Sequence, residues 1–363
     1  MLTLGIETSC DETAVALYCD KKMGIVREVL RTQIDIHSVH GGVVPELASR
    51  EHQTYLPALL GELFKQESIS LQDISLIACT QGPGLLGSLL VGFTYARTLA
   101  CFADKPFIGI NHLEAHVTTC QLEHKKIIYP HLCLLVSGGH TQLIAVTGPG
   151  CYYCLGETRD DACGEAFDKG ATLLGLPYPG GPSLAKLADE FPEDEVIIKN
   201  QLLFKVPFFS KGKHSARRHF DFSFSGLKTQ LRVYLEKNPA TSMSENEKRK
   251  IAYHYQEAIV QSLTDTIVRA LEQWRVSQVV IAGGVSANKR LRLVLLDKLT
   301  SLGVSMLVSS SNLCTDNAKM IAHLGYVRRK QAIIPGSSSG APLRDPYVQP
   351  LAKWRLDELS PIT

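Results

Sequence analysis

Charge imbalance is missing from this chain of 363 residues: 38 Lys and Arg stand against 36 Asp and Glu, a formal net of +2. Such a balance neither demands nor forbids a nucleic-acid partner; only a local basic patch argues for one. Glycine is not in excess at 28 residues, which excludes collagen-like and low-complexity chains. Charged residues reach only 20% against 45% apolar, which excludes wholesale disorder. A basic, apolar leader is lacking: Met1 to Cys10 has no basic start and carries Glu7. The ten cysteines, most in apolar runs such as Ile77-Ala78-Cys79 and His131-Leu132-Cys133, are therefore expected reduced, in a cytoplasmic protein. Long uncharged apolar runs are scarce too. Gly84 to Ala103 comes nearest, with Arg97 as its single charge, but its glycines, its hydroxyls and the strand pattern before it mark a buried helix rather than a membrane span.

At roughly 150 residues per domain, the length implies two or three domains or one large duplicated one. The first third reads as strands (2–7, 14–19, 25–32), a helix entered through Pro45 (46–65), a strand (75–79), a helix (85–103), a strand (107–110) and a helix (113–121). The order then restarts with strands at 131–136, 141–146 and 152–155. Helices come next at 162–174, 182–189, 226–235 and 245–274, then a strand (278–282), a helix (288–302), a strand (304–308) and a helix (316–328). No residue-level repeat accompanies this shared plan, yet both halves run three strands and then alternate helix with strand. The expected fold is α/β, with two mixed sheets flanked by helices around a central cleft. Its expected division is 1–130, 131–335 with a helical insertion at about 160–275, and an irregular tail at 336–363.

Five constellations carry chemistry. The turn Thr8-Ser9-Cys10-Asp11-Glu12-Thr13 joins two apolar strands; hydroxyls and carboxylates there either solvate the turn or serve a ligand. Its counterpart, Val136-Ser137-Gly138-Gly139-His140-Thr141, is an ordinary hairpin turn or a backbone cradle for phosphate. His112 and His116, four apart, share one helix face and with a distant carboxylate suit iron(II) or zinc. A zinc peptidase needs Glu directly after the first histidine, and that position is Leu113. Gly283-Gly284-Val285-Ser286-Ala287-Asn288 runs from a strand into a helix start, where Ser286 or Asn288 caps the helix or Asn288 reads an adenosine. Asp316 likewise stands at a helix start, as a cap or as a ligand.

Other matches are decoys. Gly82-Pro83-Gly84-Leu85-Leu86-Gly87 fits a dinucleotide fingerprint, but no acidic residue ends the next strand. Gly336-Ser337-Ser338-Ser339-Gly340 lacks the strand and helix of a nucleophile elbow. Cys151 and Cys154 have no second pair to complete a zinc site. The stretch 196–220 holds no Asp or Glu but contains Lys199, Lys205, Lys211, Lys213, Arg217 and Arg218 among phenylalanines and histidines. It is either a solvated basic loop or a grip on a phosphate backbone.

Taken together, these residues resemble one family, the tRNA threonylcarbamoyladenosine transferases of the bacterial TsaD type. The matching runs are Gly5-Ile6-Glu7-Thr8-Ser9-Cys10-Asp11-Glu12-Thr13, Asn111-His112 with His116, Leu135 to Thr141, Asp161 to Lys169, Tyr178 to Pro182, Phe222 to Thr229, Gly283 to Asn288 and Cys314-Thr315-Asp316-Asn317. They span about residues 2–330 in family order; Lys319, where Ala is usual, and the tail after 335 depart from the pattern. The resemblance implies a duplicated actin/heat-shock-ATPase-like (ribonuclease H-like) fold. It implies transfer of the threonylcarbamoyl group of threonylcarbamoyl-adenylate to the exocyclic amine of the adenosine just 3′ of the anticodon, in tRNAs reading ANN codons, with release of AMP. It maps His112, His116 and Asp316 onto the ligands of one divalent metal per subunit, Fe²⁺ first and Zn²⁺ second. Leu135, Val136, Ser137, Gly138, Gly139, Asp168, Gly181 and Asn288 map onto adenylate-binding positions. It implies partners as well: tRNA, a shortened paralogue of the TsaB type and a small ATPase of the TsaE type, with no membrane.

Adenine's exocyclic amine is a poor nucleophile, so the site must position it, take a proton and stabilise charge at carbonyl and phosphate. Asp11 or Glu12 is the expected base, and Lys211, Lys213, Arg217 and Arg218 are the expected tRNA contacts. Other readings stay open at this level. A sugar kinase or ATPase would not need the histidines, a non-catalytic scaffold would not keep a metal set, and a metallopeptidase lacks its base.

Overall fold

A computed structural model of the chain describes residues 1–124, 126–192, 202–206, 220–333 and 349–362. Two compact units emerge, Met1–Ile127 with Pro149–Cys151 and Thr315–Thr363, and Ile128–Gly148 with Tyr152–Cys314.

The first unit is built on a sheet of β1 (Leu2–Glu7), β2 (Glu12–Cys19), β3 (Gly24–Thr32), β4 (Leu76–Gly82) and β5 (Phe107–Asn111), in the order β3-β2-β1-β4-β5. β1 pairs antiparallel with β2, Leu4 opposite Leu17 and Ile6 opposite Val15, and parallel with β4. Such a central strand is covered on both faces: Leu4 and Ile6 alternate with Thr3, Gly5 and Glu7, and all five are buried. One face is large: Leu4, Ile6, Val15 and Leu17 pack with Leu56, Leu60 and Leu63 of helix α2 (Pro45–Glu67) and with Phe93, Ala96 and Ala100 of α3 (Leu86–Ala103). The other face is small: Ala14 and Ala16 meet Ala318 and Ala322 of the last helix, Ala318–Val327. A Cβ on Gly5 would lie 2.5 Å from the Ala322 nitrogen, so this helix rests directly on the sheet backbone. Two shorter helices complete the set, α1 (Ile34–Ser38), which hydrophobic periodicity does not announce in five residues, and α4 (His112–Thr118), continued by a 3₁₀ turn at Thr119–Leu122.

The second unit repeats the plan. Its strands β6 (His131–Val136), β7 (Thr141–Gly148), β8 (Cys151–Glu157), β9 (Gln278–Ala282) and β10 (Ser305–Val308) take the order β10-β9-β6-β7-β8, which is the same topology counted from β6. The helices are α5 (Cys163–Leu173), α6 (Gly180–Asp189), α7 (Ser225–Lys237), α8 (Glu245–Gln273), α9 (Lys289–Ser301) and α10 (Ser311–Cys314), so Ala318–Val327 is α11. One core of Leu132, Leu134, Phe167, Phe222, Tyr255, Ile259, Val279 and Leu295 joins this sheet to its helices. A division at 335 therefore misplaces α11, which packs in the core of the first unit, on Leu76 and Ala78 of β4 and on Ala14 and Ala16 of β2.

Among the described residues α3 is the one helix long and apolar enough to cross a membrane, with a mean hydropathy of 1.3. Its Leu89, Phe93, Ala96 and Ala100 are buried, while Leu86, Leu90 and Phe102 are exposed. With α2 it borders a groove of about 770 Å³ lined by Leu56, Leu90, Val91, Thr94, Tyr95 and Leu99, among others.

Candidate functional site

The two histidines at helical spacing meet the distant carboxylate. Asp316 Oδ1 lies 3.0 Å from His116 Nε2 and 3.4 Å from His112 Nε2. One ligating atom from each of the three residues falls within 4.8 Å of the others. Asp316 is free for this because its neighbour does the capping: the Asn317 side chain accepts from Met320 N at 3.0 Å. Donors that share one ion at about 2.1 Å stand roughly 3 to 3.5 Å apart, so this two-imidazole, one-carboxylate set fits a divalent cation with open positions.

A second layer, which sequence reading did not single out, orients the first. Glu7 ends β1 fully buried and stands 3.1 Å from His112 Nδ1. An ionised carboxylate can only accept, so Nδ1 carries the proton and Nε2 is turned to Asp316. Glu7 is itself held by Thr80 Oγ1 at 2.6 Å and by the Ser9 amide at 2.5 Å. Burial pushes the Glu7 carboxyl up, but the charge and hydrogen bond of His112 outweigh it and leave it below the usual carboxylate value. For His112, burial lowers the value, yet the Asp316 and Glu7 carboxylates hold it well above the ordinary imidazole range. The arrangement favours a positive charge at this point. The His116 Nδ1 is buried without a hydrogen-bond partner.

Every residue of α4 is buried, Glu114 among them. Its carboxylate takes two hydrogen bonds from Arg328 just past α11, Nε to Oε2 and Nη2 to Oε1, both at 2.6 Å. This ion pair clamps the helix that bears both histidines to the helix that comes after Asp316. It also shows why Glu114 is not the general base of a peptidase.

Asp11 ends the turn between β1 and β2, and Glu12 opens β2. Asp11 is buried and its carbonyl accepts from Gln33 N at 3.0 Å. Burial, then the negative charges of Asp316 and Asp11, push the Glu12 carboxyl well above the usual range. Burial and Asp11 push the Cys10 thiol up as well, so it is no thiolate nucleophile. The turn is braced from behind by His52 of α2. Its Nε2 donates to the Cys10 carbonyl at 2.9 Å, and its Nδ1 accepts from Thr13 Oγ1 at 2.7 Å. α3 supports the same turn: Leu85 N donates to the Ser9 carbonyl at 2.8 Å, and a Cβ on Gly84 would lie 2.6 Å from that oxygen.

In the second unit Leu135 and Val136 are buried at the end of β6, and Ser137, Gly138 and Gly139 form the turn after it. Open space surrounds Gly138 and Gly139 on the side a Cβ would take, whereas a Cβ on Gly164 at the start of α5 would lie 2.6 Å from the Ser137 carbonyl oxygen, to which the Gly164 amide donates at 3.2 Å. Gly283, at φ +87°, lies against the Val136 backbone and carries the chain toward Asn288. Asp168 Oδ1 accepts the Gly181 amide at 2.8 Å, which brings those two together. Asn288 caps α9 by accepting from Leu291 N at 2.9 Å, and its amide donates to Gln256 Oε1 at 2.8 Å. Ser286 is buried and does not cap. Lys211, Lys213, Arg217 and Arg218 lie outside the described residues.

A family profile described as tRNA N6-adenosine threonylcarbamoyltransferase (TsaD) matches residues 24–323. The chain is 46% identical over 328 residues to the tRNA N6-adenosine threonylcarbamoyltransferase of Nitrosospira multiformis, a match covering 90% of this chain and 91% of that protein. Among solved structures it resembles component A of the (R)-2-hydroxyglutaryl-CoA dehydratase of Acidaminococcus fermentans, at a TM-score of 0.50 and 17% identity over 90% of this chain and 98% of that one. It also resembles full-length HypF in its phosphate- and nucleotide-bound form, at a TM-score of 0.55 and 12% identity over 89% of this chain and 45% of that one. At such identities these two carry the fold alone, the duplicated actin/heat-shock-ATPase-like architecture of two mixed five-stranded sheets.

Proposed function

The chain belongs to the tRNA N6-adenosine threonylcarbamoyltransferase family, and from that premise we propose which donor it uses, which residues act and which proteins assist. It is a transferase of tRNA modification, and its substrate is tRNA. The proposed donor is threonylcarbamoyl-adenylate, and the acceptor is the exocyclic amine of the adenosine just 3′ of the anticodon in tRNAs reading ANN codons. The amine nitrogen bonds to the carbamoyl carbon, the bond from that carbon to the phosphate oxygen breaks, and AMP leaves with the electron pair. The amine proton passes to Asp11 or Glu12.

The carrying observation is the convergence of His112, His116 and Asp316, with Glu7 fixing the ring of His112. These three residues would hold the divalent metal, Fe²⁺ first and Zn²⁺ second. When bound, it supplies Lewis-acid stabilisation of phosphate or carbonyl oxygen. Leu135 to Gly139, Asp168, Gly181 and Asn288 are the proposed adenylate contacts; the glycines leave room for phosphate and ribose, and the Asp168 carboxylate already meets the Gly181 amide. A shortened paralogue of the TsaB type and a small ATPase of the TsaE type are the proposed protein partners, and the cytoplasm is the proposed compartment. Charge reversal at Arg217 and Arg218 should weaken tRNA binding and flatten its salt dependence.

The test is one reaction with unmodified tRNA, threonylcarbamoyl-adenylate and the partner proteins, comparing wild type with His112→Ala by mass spectrometry of the nucleosides. Threonylcarbamoyladenosine formed by wild type and lost in the variant is the expected result. No product from metal-loaded wild type would overturn the assignment of this donor.

A further inference from the structure

Segment 349–362 has no regular structure beyond a 3₁₀ turn at Leu356–Glu358, yet it is stitched into the first unit by backbone groups. Leu351 N donates to the Gln81 carbonyl at 2.7 Å, and Gln81 Nε2 returns a bond to the Gln349 carbonyl at 2.9 Å. A Cβ on Gly82 would run into the Leu351 carbonyl oxygen. The next contact reaches the candidate site. Asn111 Nδ2 donates to the Trp354 carbonyl at 3.1 Å. The other end of the same amide, Oδ1, caps α4 by accepting from Leu113 N at 3.0 Å and Glu114 N at 3.1 Å. Farther on, the Ser360 carbonyl accepts from Arg328 Nη1 at 3.1 Å, the guanidinium that clamps Glu114. Leu356, 4% exposed, is the apolar anchor between these contacts.

We propose that this segment is a strap that positions α4, and so His112 and His116, by fixing the cap at Asn111 and the clamp at Arg328. With its oxygen on the helix amides the Asn111 side chain turns its NH₂ away from them, and because Asn111 is buried that NH₂ needs a protein acceptor; the Trp354 carbonyl is that acceptor, so docking of the strap favours the capping orientation. Trp354, through its carbonyl, and Leu356 are thus positioning residues that touch no ligand. The inference rests on His112, His116 and Asp316 forming a metal site, and its test separates the two.

The experiment compares the full chain, Leu356→Asp and a chain ended after residue 348. Co²⁺ is titrated by its visible absorption, and amide exchange is followed at Leu113 and Glu114. Leu356→Asp and the shortened chain should both exchange these amides faster and bind Co²⁺ about tenfold more weakly, with an altered visible band. A folded variant with unchanged exchange and unchanged Co²⁺ affinity overturns the strap. Should neither variant fold, exchange in the full chain under mild guanidinium decides. The Leu351 amide and the Leu113 and Glu114 amides should then open together, and independent opening overturns the proposal. A full chain that takes up no Co²⁺ sinks the metal reading alone, and the strap is then judged on exchange: faster α4 exchange in the variants sustains it and unchanged exchange refutes it.

Discussion

Replacing Arg328 by Met should cost this protein far more than the loss of an ordinary ion pair. Glu114 is fully buried and Arg328 is 5% exposed, so neither group is solvated by water in the fold. Two hydrogen bonds of 2.6 Å join them in bidentate geometry, and the guanidinium also donates to Gln331 Oε1 at 2.9 Å. Arg328→Met leaves the Glu114 carboxylate buried without its counter-charge, and removing one member of such a pair costs roughly 3–5 kcal/mol. An exposed pair would cost at most about 1 kcal/mol. The double variant Glu114→Leu/Arg328→Met removes both charges and should recover most of the loss, because a buried pair gains little over apolar side chains of similar size. Guanidinium unfolding of the wild type, both single variants and the double variant is the assay. The same clamp ties α4 to α11, so the single variants should also weaken Co²⁺ binding. Single-variant losses near 1 kcal/mol, or a double variant no better than the singles, would refute the reasoning.

The same geometry sets other expectations. Glu7→Gln should weaken Co²⁺ binding by about 10- to 100-fold in direct titration, because the amide removes the carboxylate charge behind His112 and sets an NH₂ where one of two accepting oxygens meets His112 and Thr80 or the Ser9 amide. Asp168→Ala should raise the KM for the proposed donor, threonylcarbamoyl-adenylate, while leaving Co²⁺ affinity unchanged, and a shift in metal affinity would show that Asp168 acts elsewhere. Burial on α11, with the ring 5.5 Å from Tyr18, pushes His323 from 6.5 down to about 4. The value is depressed in the fold, so stability is whole above pH 6.5 and falls as pH drops toward 4, by about 3 kcal/mol in all; His323→Phe should flatten that part of a pH series of unfolding curves.

The strands were the most legible elements. His131–Val136 and Gln278–Ala282 match residue for residue what their apolar runs announce, because a strand buried on both faces needs nothing else to mark it. Helix ends were legible to within three residues, and the short helices α1 and α10 were not legible at all. Asp316 stayed ambiguous because a carboxylate at a helix start reads equally as cap or ligand; only the structure shows Asn317 taking the cap. Glu7 is merely the last residue of the strand pattern at 2–7, and its burial together with its 3.1 Å contact to His112 Nδ1 reveals its task. The Glu114–Arg328 clamp joins positions 214 apart, a separation no local pattern records. The strap is less visible still, since it works through main-chain carbonyls at Gln349, Trp354 and Ser360 that any side chains would supply.

The sheet itself explains why these residues converge. β1, β4 and β5 are parallel neighbours, so their carboxyl ends lie along one edge. The residues after each strand are then delivered to the same place: Ser9 to Glu12 after β1, Gly84 and Leu85 after β4, and His112 to His116 after β5. A fourth contribution, Asp316, arrives because small residues on the sheet's other face let α11 lie directly on β1, where Gly5 meets the Ala322 backbone. The second sheet obeys the same rule with different residues: β6 and β9 are parallel, and their ends deliver the Ser137-Gly138-Gly139 turn and Gly283 to Asn288. One topology, used twice, offers imidazoles and carboxylates in the first unit and glycine turns with open space beside Gly138 and Gly139 in the second. Substitution at the strand ends should therefore change which ligand each unit takes while leaving its sheet intact. The sheets depend on the apolar runs, and the chemistry depends on the few residues that come after them.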